Sequence, residues 1–407
     1  MEKNEVVVVS AVRTPFGKFG GTLKDIPSIE LGAMVIREVL KRVNVKGEEV
    51  EETYYGVAIP AEVGLETDVP GRQATLKAGM PSEAVSITVD RACCSSLAAV
   101  RLGYRAIRAG EIEVALGVGA ENMSRTPLLV PPHVRWGSRL GHIELSDVIY
   151  GLGYKGFNPV SVDAGEVALE YRITREDQDQ WAYQSQMKYD NAFSRGKFKV
   201  GEELMRVEIP QRKGPPIIFE RDEFPKPDTT LDKLSKLPLV YGSPTVTAGN
   251  APGLDTGASA VLIMSEKKAK EKGLKPLARI LSMVASATTP RLLAAIPGFT
   301  IQKVLEKAQV TLDQVDLIEI NEAFAAMPLV SAKILANGDS EKMKSILEKT
   351  NVNGGAIAVG HPVGASGARI LMTLIYELRR KGGGIGVASI CGGLAQGEGA
   401  VVKVEVE

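Results

Sequence analysis

The sequence predicts an α/β protein: a five-layered α/β/α/β/α body built from two repeated halves, with a loop-rich domain inserted into the first half. Three observations carry this reading. Val39-Leu40-Lys41-Arg42-Val43-Asn44-Val45 through Val50 matches Val304-Leu305-Glu306-Lys307-Ala308-Gln309-Val310 through Val315 without gaps, at an offset of 265 residues. Gly253-Leu254-x-x-Gly257-x-x-Ala260-Val261 matches Gly393-Leu394-x-x-Gly397-x-x-Ala400-Val401 at an offset of 140, so about 125 extra residues lie between the two markers of the first half. Strand-like and helix-like segments alternate, which implies parallel, largely buried sheets with helices on their faces.

Each repeated segment starting at Val39 or Val304 reads as an amphipathic helix, a turn and a strand. Val85, Ile87 and Val89 alternate as a strand, Cys93 to Ala109 runs without proline as a helix, and Glu113 to Val118 is a strand with a small-residue tail. The insertion, 120–250, carries Pro210, Pro215, Pro216, Pro225 and Pro227 and much of the charge, and a helix from about Arg175 to Ser194 anchors it. In the second half, Val315 to Ile320 is a strand, Gly364 to Lys381 a helix and Gly384 to Ser389 a strand. The chain thus divides into 1–119 with 251–273, the insertion 120–250, and 274–407. Gly151-Leu152-Gly153-Tyr154-Lys155-Gly156 fits the dinucleotide fingerprint G-x-G-x-x-G, but Pro159 stands where its helix must run and no six-residue strand precedes it. Nicotinamide binding is therefore rejected.

Composition narrows the function. Lys plus Arg and Asp plus Glu each number 49, so no field of one sign is available to hold nucleic acid or an anionic membrane. Met1-Glu2-Lys3-Asn4-Glu5 leads into only four valines, unlike a signal peptide, and no eighteen apolar residues run together; a soluble cytoplasmic protein is expected. Three cysteines without a C-x-x-C pair give neither a disulfide framework nor a zinc site, and three histidines are too few for a histidine-rich metal site.

Ligands in such sheets bind beyond the carboxyl ends of strands, at helix N-termini. Cys93 and Cys94 stand there, where the helix dipole lowers a thiol pKa, although small buried core thiols are an equal alternative. His361 occupies the corresponding glycine-rich turn of the second half, Val359 to Gly367, as a Cys-His pair requires. Cys391 follows the last strand but one and precedes Gly392-Gly393, whose backbone N–H groups can approach a ligand as an oxyanion hole needs. Asn321 ends a strand and opens Asn321-Glu322-Ala323-Phe324-Ala325; it suits a helix cap or a site residue. Glu322, beside the apolar Phe324, is a candidate acid or base.

These residues resemble the thiolase family along nearly the whole chain. Ala11-Val12-Arg13-Thr14-Pro15-Phe16-Gly17 is similar to its first strand and turn, Val89-Asp90-Arg91-Ala92-Cys93-Cys94-Ser95-Ser96 to its nucleophile segment, Asn321 to Phe324 to its N-E-A-F motif, Gly354 to Gly367 to its G-G-A-I-A-x-G-H-P-x-G-A-S-G signature, and Cys391-Gly392-Gly393 to its second cysteine motif. The chain departs from the pattern at Asp90, Ser96, Leu394-Ala395 and Pro252. Thr247 to Gly253 resembles a segment lining the pantetheine tunnel, which makes Ala248 and Gly249 the implied coenzyme A contacts. Pro159-Val160 stands where similar short-chain enzymes carry His-Met, which leaves acyl-chain preference open.

The resemblance implies a thiolase-like fold and ping-pong acyl transfer between Cys93 and coenzyme A, with acyl-CoA and CoA as substrates and no metal or redox cofactor. It implies His361 as base, Cys391 as acid and base, and two oxyanion holes: His361 with a water on Asn321, and the N–H groups of Cys93 and Gly393. A homodimer or homotetramer is implied, through the strand Val85 to Val89 and the segment Arg135 to His142. A ketoacyl-synthase-type enzyme would need a second histidine in a matching motif, a cysteine hydrolase would leave Cys391 idle, and a non-catalytic scaffold would not need the four retained groups.

Overall fold

Nine strands hydrogen-bond into one ladder in the order Leu317–Ile320, Gly383–Gly392, Gln396–Glu405, Ala278–Ala287, Val6–Arg13, Thr256–Ser265, Val114–Asn122, Glu52–Gly56, Val85–Val89. This computed structural model describes residues 4–64, 68–150 and 154–406; Gly151, Leu152 and Gly153 of the fingerprint-like loop lie outside them. The join in the middle of the ladder is the two pairs Val7↔Arg279 and Val8↔Ala278, so the sheet is two half-sheets touching at one point. The repeat is carried in detail: Thr256–Ser265 and Gln396–Glu405 begin and end 140 residues apart. Register shifts fall at Val8/Ser10 in one half and Ile280/Ser282 in the other.

The expectation of parallel sheets is corrected. Glu52–Gly56 pairs in parallel with both its neighbours, and Leu317–Ile320 with Gly383–Gly392. The central ladders are antiparallel. The long apolar runs that suggested parallel pairing report burial on both faces, which this layered packing imposes on antiparallel strands too. The turn between Gly392 and Gln396 is too short for a crossover and folds one strand back on the other.

Three apolar clusters define the layers. In the middle, Leu97 and Val100 of helix Ser95–Ala109 and Ile370 and Leu374 of helix Ser366–Arg380 pack against strand residues of both halves, among them Ala115, Val261, Ala388 and Val402. Helix Ser366–Arg380 is buried continuously from Ser366 to Leu378, because helices and strands surround it. On one outer face Leu31, Val35, Ile36 and Val39 of helix Ser28–Lys41 recur at helical spacing and cover Val7, Leu116 and Leu262. On the other, helices Ile296–Ala308 and Ala326–Ala336 cover Ile318, Val387 and Val401. Each large aliphatic side chain so buried contributes roughly 2 kcal/mol.

Several boundaries move. The helix expected from Cys93 starts at Ser95, with Cys94 at its N-cap. The strand expected at Glu113 to Val118 is Val114–Asn122, and that expected at Gly384 to Ser389 is Gly383–Gly392. The strand expected from Val315 is Leu317–Ile320, after a 3-10 turn at Leu312–Gln314. A 3-10 turn, Val363–Ala365, precedes helix Ser366–Arg380.

Between Val114–Asn122 and Thr256–Ser265 the chain forms helices Val160–Glu170 and Arg175–Ser194 and two small hairpins. Helix Arg175–Ser194 has the expected bounds. Thr174 Oγ1 accepts from the Asp177 N–H and Asp177 Oδ2 from the Thr174 N–H, a reciprocal cap. No helix among the described residues is long and apolar enough to cross a membrane.

Candidate active site

Cys93 sits on a turn that its neighbours hold under strain. Ala92 has φ 50°, a left-handed conformation costing a non-glycine residue about 1–2 kcal/mol. Asp90, one of the departures from the family pattern, supplies the restraint: its Oδ1 accepts from the Ala92 N–H at 2.9 Å. Ser95 Oγ accepts from the Arg91 N–H at 2.9 Å and donates to the Ala92 carbonyl at 2.6 Å. The turn sends the two adjacent thiols to different places. Cys93 lines a cavity of roughly 360 Å³ together with His361, Cys391 and Gly393. Cys94 is buried beneath, its Sγ 3.5 Å from the Ile390 carbonyl.

His361 Nε2 lies 3.2 Å from Cys93 Sγ. Its Nδ1 lies 2.6 Å from Ser366 Oγ, and that hydroxyl donates to the Pro362 carbonyl at 2.9 Å. A hydroxyl has one proton, so Ser366 accepts from Nδ1–H and Nε2 is left as the bare nitrogen facing the thiol. The ring's backbone is fixed as well, since Asp255 Oδ2 accepts from the His361 N–H at 2.7 Å. Burial, with a smaller contribution from the Arg369 charge, brings the His361 pKa down to about 3.

The expectation that a helix terminus depresses the Cys93 pKa is corrected. Burial, reinforced by the neighbouring Cys391, pushes the Cys93 thiol well above its ordinary value. Cys93 also lies before the helix rather than in its first turn. The resting pair is a neutral thiol on a neutral imidazole. Burial likewise pushes the Cys391 thiol up.

Cys391 comes to the site on the end of Gly383–Gly392. A Cβ on Gly392 would stand 2.6 Å from the Arg91 carbonyl and 2.8 Å from Cys94 Sγ, so only glycine lets this strand end press against the Cys93 turn. Gly393 is equally crowded, by the Tyr154 hydroxyl. Asn321 follows Leu317–Ile320, is fully buried, and caps no helix, the next one beginning at Ala326. Its Nδ2 lies 3.5 Å from His361 Nε2.

Glu322 is not an acid or base of this cavity. Its carboxylate accepts from Trp181 Nε1, Ser185 Oγ, Asn351 Nδ2 and the Ile357 N–H at 2.8–3.1 Å, and so pins helix Arg175–Ser194 to the second half. Phe324, the neighbour that suggested a tuned carboxyl, does line the cavity. Ala248 forms part of the wall with Val160, Pro252 and Leu254. Gly249 does not: a Cβ there would strike Leu234 and Leu237, and the residue lines an adjoining recess with Lys226 and Lys233. Sequence reasoning missed Ser366, Asp255, Tyr154 and Arg369 as neighbours of the reacting groups. Ser366 alone had a signal, its five-residue spacing after the histidine within the glycine-rich turn.

A layered, duplicated α/β body with a thiol–imidazole pair and a second thiol in one cavity defines the class as a cysteine-dependent acyltransferase. Family models for the thiolase N-terminal and C-terminal domains match residues 6–267 and 274–404. The chain belongs to the thiolase family, whose members make or cleave 3-oxoacyl-CoA by acyl transfer to and from coenzyme A. It is 44% identical to an acetyl-CoA acetyltransferase of Cupriavidus necator, over 98% of this chain and 99% of that one. The crystal structure of human mitochondrial 3-ketoacyl-CoA thiolase superposes with a TM-score of 0.91 at 36% identity, covering all of both chains. The same human enzyme in complex with CoA gives 0.90 at 36% identity, over 99% of this chain and 98% of that one.

Proposed function

We propose that Cys93 carries the acyl group and that His361, Cys391, Asn321 and Gly393 complete the chemistry. The observation that carries this reading is the 3.2 Å approach of a bare imidazole nitrogen to Cys93 Sγ in a cavity that Cys391 also lines. As sulfur attacks the thioester carbonyl, His361 Nε2 takes the thiol proton; the new C–S bond forms, the bond to coenzyme A breaks, and Cys391 protonates the departing thiolate. The Cys391 thiolate then removes a proton from the α-carbon of acetyl-CoA; the carbanion forms a C–C bond to the acyl carbon as its C–S bond to Cys93 breaks, and His361 returns the proton to Cys93. Proton transfer accompanies attack, since both resting groups are held neutral. Donors on Asn321, His361 and the Cys93 and Gly393 backbones would meet the developing oxyanions. Ala248 and Gly249 would flank coenzyme A, Ala248 along the cavity wall and Gly249 at the recess beside it.

The same reading takes 120–250 as a coenzyme A-binding lobe between the halves 1–119 with 251–273 and 274–407. It assigns the protein to fatty-acid metabolism in the cytoplasm, where thiols stay reduced, as a homodimer or homotetramer. The exposed apolar residues Val85 and Ile87 on an edge strand, and Trp136 at 85% exposure, support association. The test is incubation with acetyl-CoA, acid quench and peptide mass mapping. The acetyl group is expected on Cys93, and label on Cys94 would overturn the assignment.

A further inference from the structure

We infer that Arg369 is a positioning residue for acyl transfer, holding Asn321 with its amide nitrogen turned towards His361. The inference rests on the reading that Cys93 and His361 perform the chemistry. Arg369 lies in the first turn of helix Ser366–Arg380 and is 1% exposed. Its Nη2 donates to Asn321 Oδ1 at 3.2 Å. A guanidinium has only donors, so the atom facing it must be the amide oxygen; this decides the orientation of a group whose two ends otherwise look alike. Nδ2 is thereby directed at His361 Nε2, 3.5 Å away.

That direction agrees with the rest of the network. An N–H aimed at Nε2 requires a lone pair there, and the Nδ1–H to Ser366 contact leaves one. With Asn321 reversed, its oxygen would face the nitrogen lone pair and its NH2 would face the cation. Arg369 therefore favours the amide orientation, beside an imidazole whose tautomer Ser366 sets.

The cation has no comparable structural task. Glu319, two residues before Asn321 on the same face of its strand, is its carboxylate partner, but Nη1 and Oε2 are 3.6 Å apart. Nε and Nη1 of Arg369 and Oε2 of Glu319 make no hydrogen bond among the described residues. A buried ion pair this loosely matched is weak evidence of a stabilising role, since replacing such a pair by apolar residues of similar volume is often neutral or stabilising.

The test is a double-mutant cycle on acetoacetyl-CoA thiolysis, with thermal melts of every variant. For Arg369→Met, kcat is expected to fall roughly 10²-fold with KM nearly unchanged. In the Asn321→Ala background the same change is expected to cost nothing further, because Arg369 acts through Asn321. Arg369→Lys keeps a charge but loses the fork, and is expected to recover part of the rate. If Arg369→Met does not fold, Arg369→Lys takes its place in the cycle. Losses that multiply, or a lysine variant with wild-type kcat, overturn the inference. A wild-type protein that never acquires an acyl group on Cys93 instead overturns the reading beneath it.

Discussion

The Ser96 hydroxyl accepts a hydrogen bond at 2.9 Å from the Ala368 backbone N–H, joining the first turns of the two central helices. One helix follows the Cys93 turn and the other the His361 turn, so this bond spans the two halves just behind the reacting pair. The approach is close: a Cβ on Gly119 would come within 2.5 Å of Ser96 Cβ and 2.2 Å of the Gly364 carbonyl. The departure from the family pattern at Ser96 thus has a structural use. Ser96→Ala is expected to leave the Ala368 N–H unpaired and lower unfolding free energy by about 1–3 kcal/mol, measured by denaturant titration. No change in stability would show that the bond carries no weight.

The neutral Cys93–His361 pair has a signature in pH. His361 is brought down to about 3, below its ordinary value of 6.5, while the thiol is raised. Across the neutral range the imidazole therefore stays the unprotonated base and the thiol keeps its proton. The single-turnover rate of Cys93 acylation is expected to vary little between about pH 5 and 8, with no inflection near 6.5. An acid limb centred near 6.5, read by rapid-quench kinetics, would mean that His361 titrates as a solvated histidine.

Much of this was legible in the chain, and the exceptions have physical causes. The duplicated segments pointed to the two half-sheets because each repeated residue fills the equivalent outer layer of its own half, as Val50 and Val315 do after their helices. Strand direction was hidden, since burial on both faces erases alternation. The reacting groups were visible because they stand in glycine-rich turns at strand ends. Arg369 was not, because a residue on an apolar helix gives no sign of which neighbour it meets across the core. Leu394 and Ala395 depart from the family pattern and both adopt φ near 55°, a conformation that glycine takes without strain and that costs these residues energy.

The edge strand Val85–Val89 turns Val85 and Ile87 outward, 51% and 45% exposed, beside an unpaired row of backbone groups. Such an edge is a template for pairing with another copy. Sedimentation at dilute concentration is expected to show at least a dimer, and Ile87→Lys to shift it towards monomer. An active wild-type monomer would refute association through this strand. A dimer that never forms tetramers would remove only the role of the exposed segment around Trp136 and Leu140.

On the proposed mechanism, Cys391 separates the two half-reactions. It lines the same cavity as Cys93 but makes no hydrogen bond to His361 among the described residues, so on that mechanism the base that prepares the nucleophile does not depend on it. Its thiol, raised by burial, is protonated at rest and suited to meeting a departing thiolate of similar basicity. Cys391→Ala is expected to keep most single-turnover acylation of Cys93, slowed by the loss of leaving-group protonation. Condensation of two acetyl-CoA molecules should fall by 10²-fold or more, since the α-proton then has no acceptor. Mass mapping reads the first and product formation the second. Equal losses in both would mean that Cys391 supports the Cys93 turn through packing, as Gly392 does, rather than by moving a proton.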